Sequence, residues 1–172
     1  MTQKHTTKDG FSILETMIAS FVLVVGLAGA ITVFGPAVQF TGASRDQAIA
    51  AALAQEGVEL IKNVRDNNML GGSFNDHMNA DGTYCMDYND TAPSSCGSGQ
   101  LYISGNWYVH NATSTRALFK RKIYIDNRPG ELAIKSYVVW RDGRFPASLA
   151  NPASCTLVNK CAFAQTVLTD WK

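Results

Sequence analysis

The side chains able to do chemistry fall into three small groups. Glu15 is a group by itself, because from Phe11 to Ser44 it is the only ionisable residue. A carboxylate inside a membrane-spanning helix costs on the order of 2.5–3.5 kcal/mol even on lenient insertion scales, so it points to a function and a partner. The bland alternative is a carboxylate near the helix start that snorkels to the headgroups. The cysteines form the second group: Cys85, Cys96, Cys155 and Cys161. Four cysteines allow three pairings, and the two short spacings favour Cys85–Cys96 and Cys155–Cys161. Each bridge would close a short loop and contribute about 2–3 kcal/mol by restricting the unfolded chain. Disulfides also imply an oxidising compartment, hence export. Four free thiols are the competing reading. Zinc fits poorly, since neither spacing is a C-x₂₋₄-C knuckle and no histidine lies nearby.

The third group is acidic. Asp76, Asn79, Asp81, Asp87 and Asp90 share one stretch with His77, and His110 follows. Aligned on a calcium loop through Asn79, Asp81 and Gly82, the first ligand would be His77 and the last Tyr88, so that motif fails. His77 and His110 belong to no motif and read as surface residues. No acid, base and nucleophile converge in the sequence, so neither catalysis nor a cofactor or metal is expected. Trp107, Tyr108, Tyr124, Tyr137 and Trp140 sit at strand spacing, where core and cross-strand pairs are the usual role. The formal charge of +1 provides no global field for nucleic acid.

The elements that must position these groups begin with the apolar run from Phe11 to Phe34. A run of about 20 apolar residues is long enough to span a membrane, and Lys4 and Lys8 before it favour a cytoplasmic N-terminus. A cleavable secretory signal fits less well, because the run exceeds an h-region and carries Glu15. A plain signal anchor has no use for that carboxylate.

Lys8-Asp9-Gly10 followed by Phe11-Ser12-Ile13-Leu14-Glu15 resembles the processing signal of type IV pilins and type II secretion pseudopilins. The resemblance implies cleavage after Gly10 by a prepilin peptidase, N-methylation of the new terminus Phe11, and an assembly role for Glu15. It implies as partners the peptidase, other pilin subunits, an inner-membrane assembly platform and, before assembly, membrane lipid. It also implies a location: single-pass in the inner membrane, then an extracellular or periplasmic filament. The motif covers roughly the first 30 residues. The C-terminal TVLTDWK and the preceding Cys155–Cys161 loop resemble, more loosely, PilV-like minor pilins. The alternative is a single-pass anchored binding domain that never polymerises. One departure stands out: the family often has a proline about two-thirds along the apolar segment, whereas here the only proline of the helix region is Pro36, after Gly35. That pair is expected to kink or break the helix.

Three parts are expected: a leader over 1–10, a transmembrane or filament-core helix over 11–40, and a globular domain over 41–172. Within the last, Ile49, Leu53, Gly57, Leu60, Ile61 and Val64 recur at helical spacing and predict a helix over 44–67 lying on a sheet. Arg45, Asp46, Glu56, Glu59, Lys62 and Asp66 fall mostly elsewhere around it. A loop is expected over 68–99, with strands over Gln100–His110 (Gly105 marking a turn or bulge), Leu118–Ile125, Leu132–Trp140 and Phe163–Leu168. Asn127-Arg128-Pro129-Gly130 reads as the turn between two of them. A long helix followed by an antiparallel sheet is an α+β layout, which is also the pilin layout that the resemblance implies.

Overall fold

A computed structural model describes residue 10, residues 12–113 and residues 115–170. The architecture is α+β: one long helix, α1 (Ile13–Gly71), followed by an antiparallel sheet. The chain divides into two compact units, Met1–Ala43 and Ser44–Lys172.

In the first unit the helix is apolar on every side, and large side chains such as Ile18, Phe21, Leu27 and Phe34 are each more than half exposed. A helix that is hydrophobic all round belongs in an apolar surrounding, since in water it would have no polar face. Its hydroxyls are turned back on the helix. Thr16, Ser20 and Thr32 donate to the carbonyls of Ile13, Met17 and Gly29 at 2.7–2.9 Å. This satisfies them without solvent, as a bilayer demands. Helical bonding continues through Gly35–Pro36, so of the two outcomes expected at that pair a break does not occur. The missing N–H costs one bond, and an apolar surrounding gives the neighbouring residues no alternative partner.

In the second unit, Ala50, Leu53, Ala54, Val58, Ile61 and Val64 of α1 are buried against the sheet. The helix extends to Gly71, four residues past the expected stop, and Gly72 supplies the left-handed residue after it (φ 85°). The strands are β1 (Gly82–Cys85), β2 (Ser94–Ser95), β3 (Gln100–Ser104), β4 (Trp107–Val109), β5 (Thr115–Arg128), β6 (Glu131–Trp140) and β7 (Cys161–Thr169). β5 is the spine: β6 runs along one side, and β1 and β3 share the other. The β5–β6 hairpin turns at Pro129-Gly130, with Gly130 at φ 76°. β1 and β2 correct the expectation of a plain loop over 68–99. They are too short to carry a pattern of their own and exist because β1 pairs with Ile123–Ile125.

The expected outward side of α1 also needs correction at two positions. Asp46 is buried and accepts from Arg141 Nε at 2.6 Å. Glu56 reaches the fully buried Arg121, whose Nη1 lies 2.9 Å from the carboxylate. Asp46 leaves the solvent face and Glu56 is drawn partly inward because a sheet-borne arginine meets each.

At Gly57 helix and sheet approach closely. A Cβ there would lie 3.1 Å from Ser136 Cβ and 3.3 Å from Arg121 Cδ, and would collide with the Ser136 hydroxyl. Gly57→Leu is therefore expected to destabilise the second unit by about 2–3 kcal/mol through overpacking. Gly57→Ala should be milder, because alanine's helix propensity offsets about 1 kcal/mol of the strain. Urea unfolding of the two variants checks the order, and equal stability of Gly57→Leu and the parent would refute the close approach.

Candidate functional site

Gly10 lies just before α1, exposed and outside regular structure. A Cβ built on it would meet nothing within 4 Å, and its φ is not in the left-handed range. The fold therefore has no need of glycine at this position, and any requirement comes from a molecule that handles the segment. Phe11, the expected new terminus and methylation site, lies outside the described residues. Glu15 is in the first turn of α1. It is exposed and makes no hydrogen bond or ion pair among the described residues. Among the described residues Glu15 thus stands as a carboxylate without a partner, on a stretch of helix where the Thr16, Ser20 and Thr32 hydroxyls are satisfied internally. The helix is long and apolar enough to cross a membrane.

The four cysteines form Cys85–Cys96 and Cys155–Cys161, with Cα separations of 4.7 and 5.0 Å. The first ties β1 to the strand-poor stretch after it. The second staples the segment after β6 to the start of β7, where Cys155 and Cys161 pack with Tyr137 and Val139.

His110 corrects the expectation of a surface residue. Its Nδ1 lies 2.5 Å from Asp87 Oδ1, its backbone N–H donates to Asp87 Oδ2 at 2.8 Å, and both side chains are mostly buried. Its Nε2 faces the Arg121 carbonyl at 3.4 Å, so no nucleophile meets it. The pair is a clasp that holds the Met86–Asp90 turn onto β4. Burial of Asp87 works to raise its pKa. The side-chain and backbone hydrogen bonds from His110, together with the charges of His110 and Arg121, outweigh burial and hold it below the usual carboxylate range. A depressed carboxylate stabilises the fold above its unfolded pKa of about 3.9, and that contribution is lost as pH falls through the lower folded value. Asp87→Asn should therefore cost about 1.5–3 kcal/mol at pH 7, with the difference from the parent shrinking below about pH 4. A gap that stays constant from pH 7 to pH 2.5 would contradict this.

His77 is exposed at φ 60° beside Asp76. Among the described residues no three His, Cys, Asp or Glu side chains converge as a metal site would require. Trp107 corrects the expectation of a core role: it is 54% exposed and stacked on Tyr88 at 4.6 Å. Tyr137 and Trp140 are buried as expected.

Arg121 was the residue sequence reasoning missed. It is fully buried, and besides Glu56 it reaches the carbonyls of Leu53 and Met86. Its own backbone bonds Gly99. The available signal was parity, since it lies midway between the inward-facing Phe119 and Ile123.

A scan against protein-family models and searches of characterised proteins and of solved structures returned no match.

Proposed function

We propose that this chain is a structural subunit of a type IV pilus or a related filament, of the minor-pilin or pseudopilin kind. A prepilin peptidase cuts after Gly10, Phe11 is N-methylated, and the apolar helix holds the subunit in the inner membrane beside an assembly platform. The helix then passes from lipid into a filament core made with other pilin subunits, in the extracellular or periplasmic space.

One observation carries the reading. Among the described residues Glu15 is a carboxylate without a partner, in the first turn of a helix that carries no other ionisable side chain as far as Ser44. Both lipid and a filament core are dry, and an unpaired charge there is costly. The amine created by cleavage before Phe11 is a cation of matching kind, carried by every neighbouring subunit. Pairing the two neutralises both and fixes axial register, a better-attested use of buried ion pairs than net stability. A carboxylate on a simple anchor has no such counterpart.

Shearing and pelleting of surface or periplasmic filaments tests this. The chain should be recovered in the filament pellet, and confinement to the membrane fraction would refute the proposal.

A further inference from the structure

The charges of the second unit are sorted along the chain. Between Arg65 and Arg116 there is no lysine or arginine but there are five aspartates, whereas from Arg116 to Lys160 nine lysines and arginines meet three acids. The fold turns this order into two ends. Arg141 bonds Asp46 at the start of the unit's helix, beside the exposed Arg45. Arg116 and Lys120, on the neighbouring stretch of β5, share a surface hollow with Arg141. Arg144 follows in the next loop, exposed. At the other end Arg65 reaches the Thr169 carbonyl, Asn68 donates to the Asp76 carbonyl, and Asp81 accepts from the Asn127 N–H beside the β5–β6 turn. From Asp46 to Asn68 the helix separates these ends by about 33 Å at 1.5 Å per residue.

Much of this charge is uncompensated. Arg45, Arg116, Lys120 and Arg144 make no ion pair among the described residues, and Asp76 and Asp81 meet no lysine or arginine. Two copies meeting by like ends would repel, while unlike ends attract and exclude the wrong register. A contact between different patches is heterologous, and where its rotation does not close it propagates as an open filament.

We propose that the Ser44 end of one globular unit docks on the Gly71 end of a second copy of this chain, setting Arg45, Arg116, Lys120 and Arg144 against Asp76 and Asp81. This rests on the filament reading and deepens it, because it adds a contact between globular units to the one that Glu15 makes along the helix.

The test uses full-length chain recovered in filaments, grown from a mixture of isotopically light and heavy copies and treated with a water-soluble carbodiimide. That reagent joins an amine to a carboxylate only in direct contact. The expected product is a mixed light–heavy amide between Lys120 and Asp76 or Asp81, which can form only between two copies. Reversal variants give the second arm. Arg45→Glu, Arg116→Glu, Lys120→Glu and Arg144→Glu together make both ends acidic, and Asp76→Lys with Asp81→Lys makes both basic. Each alone should enter filaments about tenfold less than the parent, and the two expressed together should recover most of the loss. Normal parent filaments that yield no such amide, with reversed chains entering as well as the parent, would overturn this contact while leaving the filament reading intact. A parent chain absent from filaments would overturn that reading, and this contact with it.

Discussion

Gly10→Val leaves the chain at full length and in the membrane. Nothing in the fold resists valine here, since a Cβ on Gly10 points into open space and the backbone is not left-handed. The substitution lies outside α1 and far in sequence from the sheet, so folding and the disulfides should be untouched. What changes is the bond presented to a peptidase: a branched side chain now stands beside the carbonyl to be cut, where the precursor offers only hydrogen. The effect should be close to all or none. Mature chain should fall below about a tenth of the parent level, an effect worth more than 1.4 kcal/mol on the cleavage barrier. Immunoblots of membrane fractions read it directly, because removal of residues 1–10 would shift the band. Normal processing of Gly10→Val would remove the cleavage site from the account.

Glu15→Ala gives the second large effect, and it separates assembly from folding and insertion. The carboxylate makes no hydrogen bond or ion pair with a described residue and belongs to the first unit, so folding of the globular unit is expected not to need it. Insertion should become slightly easier, because a costly charge is gone from the span. Processing and membrane level should stay near those of the parent. Entry into filaments should fall tenfold or more, because the Phe11 amine of a neighbour is left unpaired in a dry core, a loss of several kcal/mol. Glu15→Asp keeps the charge but loses one methylene of reach, and should retain part of the activity. Equal recovery of Glu15→Ala and parent in sheared filaments would show that the pairing plays no role for this subunit.

The parts of this molecule that were legible in sequence are those with a strong period or an unusual neighbour. The apolar run and the Leu53–Ile61–Val64 face marked α1, and the alternation of Phe119, Ile123 and Ile125 marked β5. The cysteine pairing followed from spacing alone. What escaped depends on partners distant in the chain. β1 is four residues long and is held by β5, about forty residues away. Asp46 and Glu56 read as solvent-facing because their arginines, Arg141 and Arg121, come from the sheet. Arg121 belonged to no sequence pattern that was drawn, although strand parity with Phe119 and Ile123 places it inward. His110 gave no local sign of its aspartate 23 residues earlier. Tertiary pairing, not local propensity, decided each of these.

The central claim is that cleavage before Phe11 frees the apolar helix, which then serves as a filament core. The most direct measurement is the mass of the N-terminal peptide from chain recovered in sheared filaments. The account predicts a peptide that begins at Phe11 with one methyl group on its amine, and no detectable Met1 peptide. A filament-borne chain that retains Met1–Gly10, or one cut after the apolar run, would contradict it.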